Sequence, residues 1–98
     1  MELLFVYGTL KDRETQQTVV GRQLAGRPGR LHGFRVKTLR EGRTAYPILE
    51  EGAGDAIDGL VLEVSSEDLK RLDLYEGEGY RRGRVALESG EECWAYMR

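Results

Sequence analysis

Four consecutive apolar residues near the start, Leu3-Leu4-Phe5-Val6, constrain the fold more than any other stretch. They do not alternate with polar residues, so one buried face cannot hold them all. The pattern reads as a strand from Glu2 to Tyr7 that is covered on both faces. The run stops at Tyr7-Gly8-Thr9-Leu10 and turns polar at Lys11-Asp12-Arg13-Glu14. A buried strand that ends at a glycine just before a helix start leaves backbone N–H groups unpaired and pointing one way. Such a loop suits a carboxylate or a developing oxyanion.

Downstream, Asp12 is the natural N-cap of a helix from about Arg13 to Gln23, with Glu14 favourably placed in its first turn. Gly26-Arg27-Pro28-Gly29 reads as a breaker. Arg30 to Leu39 alternates and is expected to be a strand with a bulge at Gly33. After a turn at Glu41-Gly42-Arg43, Thr44 to Leu49 forms a shorter strand. Pro47 donates no ladder bond, so that strand belongs at an edge or near its end. Gly52-Ala53-Gly54-Asp55 reads as a flexible connection, and Ile57 to Val64 as a strand. Ser65 and Asp68 make a capping box for a second helix, which ends at Gly77. Tyr80 to Leu87 and Glu92 to Met97 pair as a hairpin through Glu88-Ser89-Gly90-Glu91. Many short strands with two short helices specify an α+β fold, mostly antiparallel.

Size and charge narrow the function. Ninety-eight residues make one domain, 1–98, able to bury roughly 60–65% of the surface its unfolded chain exposes. The net charge of −2 argues against a general affinity for nucleic acid. Between residues 21 and 43, seven cations (Arg22, Arg27, Arg30, Arg35, Lys37, Arg40, Arg43) face one acid, Glu41. The strip has no aromatic interleaving apart from Phe34, so it offers no stacking platform for RNA. It reads as a solvated face that attracts the acidic half of the chain or an anionic substrate. No apolar run approaches the ~18 residues of a membrane span, and the acidic Met1-Glu2 start is the wrong sign for a secretory leader. One cysteine, Cys93, excludes an internal disulfide and suits a cytoplasmic, reducing setting. Its apolar surroundings mark it as a buried structural thiol. One histidine, His32, without a second His or a Cys at ligand spacing, argues against a metal site.

Glu76 is the candidate for chemistry. It falls in the last helical turn, beside Leu72, Tyr75 and Tyr80. The negative end of the helix dipole and desolvation both push a carboxyl pKa up. A raised carboxylate pKa is what a general base acting on an amine requires. Spacing alone also fits a solvated glutamate at a helix end.

The two stretches gain meaning together. Phe5-Val6-Tyr7-Gly8-Thr9-Leu10, Tyr46-Pro47, Asp58 to Val64, and Leu72-Asp73-Leu74-Tyr75-Glu76-Gly77 followed by Tyr80-Arg81 resemble the gamma-glutamylcyclotransferase-like family in order and spacing. The resemblance implies a small, mostly antiparallel β-barrel flanked by short helices. It implies a pocket between the Tyr7–Leu10 loop and the helix end. There, Gly8, Thr9 and Leu10 hold substrate oxygens, Tyr7, Tyr46 and Tyr80 contribute to binding, and Glu76 is the proton acceptor. Tyr96 falls where relatives place an aromatic near the pocket, and barrel packing explains it equally well. The implied reaction is attack of a γ-glutamyl substrate's own α-amine on its γ-carbonyl, giving 5-oxoproline and a free amine. It calls for no metal and no cofactor. Some relatives insert an Asn between the positions of Thr9 and Leu10, and this chain has the shorter loop. Some relatives also cover the site with chain beyond the last strand, whereas this sequence stops at Arg98. The alternative expectation is therefore a non-catalytic small-molecule-binding or regulatory module of the same fold. The expected partner is a small γ-glutamyl molecule, with neither membrane nor nucleic acid involved.

Overall fold

The computed structural model describes residues 1–97, and of Thr9 the backbone alone; Arg98 lies outside the described residues. The elements run β1 (Glu2–Val6), a 3-10 turn (Thr9–Lys11), α1 (Arg13–Val20), β2 (Gly26–Glu41), β3 (Thr44–Val64), α2 (Ser66–Glu76), β4 (Arg81–Ala86) and β5 (Glu92–Met97). The strands form one sheet in the order β2-β3-β1-β5-β4, curled into a half-barrel. All pairings are antiparallel except β1 with β5.

β1 lies in the middle of the sheet, and its non-alternating sequence follows from that place. Leu4 and Val6 pack with Val20 of α1 and with Leu69 and Leu72 of α2. Phe5 points to the other face, among Leu31, Val61, Val85, Cys93 and Ala95. Both faces are covered, so every position from Leu4 to Val6 is buried. Each such side chain contributes about 1.5–3 kcal/mol of burial. Cys93 is fully buried in the second cluster, as its apolar setting predicts.

Three sequence expectations need correction. α1 ends at Val20 rather than Gln23, because Gly21 takes φ 80° and caps the helix with its N–H on Gln17 O. The Gly26–Gly29 breaker is instead the start of β2, held by pairing with Leu62 to Gly59. The Gly52–Asp55 connection lies inside β3, where it bulges opposite Gly33 as the register shifts between His32 and Phe34. Gly33 and Gly54 each adopt φ 84° there. The expected bulge at Gly33 is present, and β2 and β3 form one long ribbon. Beyond it, only β2 pairs with β3 around Pro47, which leaves the proline on an edge as its missing N–H requires.

The basic strip is largely answered by acids. Arg22 pairs with Asp68, Arg27 with Glu91, Arg30 with Asp58, and Arg35 and Lys37 with Glu50. Most of these pairs are exposed and stabilise little individually. No helix is long and apolar enough to cross a membrane, among the described residues.

Gln16 ties the β1 loop to the body of the protein. It is 3% exposed, donates to the Leu10 carbonyl at 3.0 Å and accepts from Leu24 N–H at 2.9 Å. Gln16→Leu fills the space but orphans both backbone groups. It should lower stability by about 1–3 kcal/mol, read as the free energy of urea unfolding. An unchanged unfolding midpoint would show that water replaces the amide.

Candidate active site

α2 sets the position of Glu76. Ser65 caps the helix by accepting from Asp68 N–H at 3.0 Å, and Asp68 returns a bond to Ser65 N–H at 2.8 Å. The helix runs to Glu76 and stops at Gly77, whose φ of 78° ends the regular bonding while its N–H closes on Asp73 O at 3.0 Å. Tyr80 N–H then bonds Gly77 O at 3.3 Å, folding the chain back beside the helix end.

The β1 loop faces that end. The 3-10 turn closes with Lys11 N–H on Gly8 O at 3.1 Å, so the N–H groups of Thr9 and Leu10 have no partner within the turn. The tip of the β2–β3 ribbon completes the enclosure. Pro47 lies over the loop, and a Cβ on Gly8 would meet its Cγ at 3.5 Å. Tyr80 Oη donates to Pro47 O at 2.7 Å, linking the ribbon to the chain after α2.

Together these segments enclose a pocket of about 400 Å³. Tyr7, Gly8, Leu10, Tyr46, Glu76 and Tyr80, all singled out in the sequence, line it. The Thr9 backbone lies between Gly8 and Leu10 in the 3-10 turn, and its side chain lies outside the described residues. Tyr96 serves both roles weighed for it, lining the pocket while packing in the helix-side core. The wall is otherwise apolar or aromatic, so Glu76 is the one carboxylate among the described lining residues.

Glu76 is half-buried, and its carboxylate meets no hydrogen-bond or ion-pair partner among the described residues. Burial raises its pKa above the ordinary value. Burial also raises the Tyr7 and Tyr96 hydroxyls, with smaller contributions from neighbouring groups including Glu76. All three groups therefore resist taking negative charge.

Sequence reasoning assigned no role to Asp73. Its carboxylate accepts from Tyr96 Oη at 2.7 Å and from Arg82 Nε and Nη2 at 2.8 and 3.1 Å. Its spacing of three residues before Glu76, one helical turn, was a usable signal. Arg82 reaches it from β4, and no local pattern marks that contact.

Fold and pocket define a class: a curled half-barrel that sets a loop against a carboxylate, unpartnered among the described residues, in a largely apolar and aromatic enclosure. The family model described as gamma-glutamyl cyclotransferase, AIG2-like, matches residues 4–98, and the chain belongs to that family. A protein from Arabidopsis thaliana, solved in solution, is similar at 25% identity and TM-score 0.82, over 98% of this chain and 61% of its own. A structure titled gamma-glutamyl cyclotransferase is similar at 21% identity and TM-score 0.75, over 98% and 65%. A protein from Homo sapiens is similar at 22% identity and TM-score 0.71, over 98% and 65%. The chain thus spans about three fifths to two thirds of these relatives. No curated protein sequence matches it.

Proposed function

We propose that this protein is a gamma-glutamylcyclotransferase-type enzyme acting on a small γ-glutamyl amide. The observation that carries the reading is Glu76, a half-buried carboxylate without a hydrogen-bond or ion-pair partner among the described residues, sharing one pocket with Gly8 and Leu10 of the β1 loop. In the reaction, the substrate's α-nitrogen attacks its own γ-carbonyl carbon and closes a five-membered ring. The carbonyl oxygen gains negative charge, and the loop amides receive it. Glu76 takes the proton that the α-nitrogen loses. The C–N bond of the amide then breaks, and Glu76 returns the proton to the departing nitrogen. The products are 5-oxoproline and a free amine, with atoms and charge balanced.

Intramolecular attack removes the need for a protein nucleophile. Holding the substrate folded for ring closure is itself worth several kcal/mol. An α-amine with a pKa of about 8 is mostly protonated at neutral pH, so a base close by is useful. We place the reaction in the cytoplasm, which suits the free buried thiol of Cys93.

The test is incubation with a panel of γ-glutamyl amides and detection of 5-oxoproline by mass spectrometry. Product from at least one amide is expected. Binding seen by calorimetry without product from any of them would favour the non-catalytic module. The enclosure gives a second expectation. Tyr80→Phe removes the bond to Pro47 O, worth about 1 kcal/mol. KM should rise about 3- to 10-fold with kcat changed less, and a kcat loss exceeding the KM change would place Tyr80 in the chemical step.

A further inference from the structure

Two halves of the pocket are joined by a path of hydrogen bonds that runs through Tyr96, entering at its backbone carbonyl and leaving by its hydroxyl. Tyr7 stands next to the loop glycine, and its Oη donates to Tyr96 O at 2.9 Å. Tyr96 Oη donates to Asp73 at 2.7 Å. Asp73 lies one turn before Glu76 on α2, so the path ends on the segment that carries the carboxylate. Two strands and a helix meet at the Asp73 carboxylate, because Arg82 of β4 grips it with two bonds beside the Tyr96 hydroxyl of β5. Arg82 is braced in turn, its guanidinium stacked 4.6 Å from the centroid of the Trp94 ring. The indole N–H of Trp94 reaches Glu2 at 3.3 Å.

The charges matter as much as the bonds. An uncompensated Asp73 would hold a second negative charge within a helical turn of Glu76. Arg82 cancels it on the spot. Among the described residues that line the pocket with Glu76, the other titratable groups are all tyrosines: Tyr7, Tyr46, Tyr80 and Tyr96, with Tyr75 on its own helix.

We propose that Asp73 and Arg82 are the positioning pair of this site: Asp73 ties the Glu76 turn to the β1 loop through Tyr96 and Tyr7, and Arg82 neutralises Asp73 so that Glu76 is the one net charge among the described lining residues of the pocket. The inference deepens the cyclotransferase reading and rests on it for its functional meaning.

The experiment titrates the Glu76 carboxyl by carbon-13 NMR in the full chain, without substrate, in wild type, Asp73→Asn, Arg82→Gln and the double variant. Asp73→Asn leaves an unbalanced cation, so the midpoint should fall. Arg82→Gln leaves an unbalanced anion, so it should rise. Each shift is expected at about one pH unit, the size of a charge roughly a helical turn away with solvent nearby. The double variant should return towards wild type. A purely structural pair predicts no opposed displacement, so midpoints that move together, or not at all, overturn the proposal. If Asp73→Asn does not fold, Arg82→Gln decides alone: a rise supports the pair and no change overturns it. If all three variants lack a cooperative thermal transition, the pair serves stability and the proposal falls. Opposed shifts in a protein that turns over no amide would keep this inference and sink the cyclotransferase reading. Turnover with unmoved midpoints would do the reverse.

Discussion

Glu76→Gln is expected to lower turnover of a γ-glutamyl amide by about 10²- to 10⁴-fold, while the protein stays folded. The amide matches the carboxylate in shape but accepts no proton at neutral pH. Residual rate is expected because the loop and the enclosure still fold the substrate for ring closure. The loss should fall on kcat, since the proton moves in the chemical step. Full activity in Glu76→Gln, measured as 5-oxoproline formed under saturating substrate, would remove Glu76 from the mechanism.

Two signs accompany that loss. Only ionised Glu76 accepts a proton, and burial holds its pKa above the ordinary carboxyl value. As pH falls, the wild-type rate should therefore drop in a window above that of an exposed glutamate. Stability moves the opposite way from activity. A carboxyl whose folded pKa is raised costs stability once it is ionised, and neutral glutamine removes the cost. The melting temperature of Glu76→Gln should equal or exceed that of wild type. A lower one would assign Glu76 a structural partner in solution.

What was legible in the sequence follows from which interactions are local. Ser65, Asp68 and Gly77 specify α2 through bonds within a few residues, and both of its ends agree with the sequence reading. The composition of β1 announces burial on both faces, and its central place in the sheet supplies it. β3 was misread because Gly52 and Gly54 look like loop residues. Their strand conformation is imposed by β2, across a bulge that no local pattern encodes. α1 is shorter than expected because Gly21 ends the helix by its backbone conformation. In the site, the loop and Glu76 were legible as short motifs. The path from Tyr7 to Tyr96 to Asp73 was not, since its contacts join residues 89 and 23 apart in sequence. Such contacts exist only once the sheet has brought β1, β5 and α2 together.

Asp68→Ala is expected to be the costliest substitution for stability away from the apolar core, at about 2–3 kcal/mol. Asp68 is 2% exposed and serves two structures at once. It caps α2 by accepting from Ser65 N–H, and it takes two bonds from Arg22, each 2.6 Å. Losing a cap costs about 1 kcal/mol, and hydrogen bonds between charged groups add about 1.5–3 kcal/mol. The full 3–5 kcal/mol of a broken buried pair is not reached, because the half-exposed Arg22 side chain can return to water. For a chain of this size the loss corresponds to roughly 10–20 °C in melting temperature. The Arg22 guanidinium is the main cause that holds the Asp68 carboxyl down to about 2, against 3.8 ordinarily. A depressed pKa stabilises the fold above the unfolded value, so the contribution is complete above about pH 4. It is lost as pH falls from about 4 to about 2, by about 2 kcal/mol in total. Asp68→Asn isolates that part, since its side-chain oxygen can still cap the helix but carries no charge. Its urea-unfolding free energy should fall below wild type at pH 7 and converge on it near pH 2. Parallel curves across that range would mean that the Asp68 charge does not stabilise the fold, and that its capping bond alone holds the start of α2.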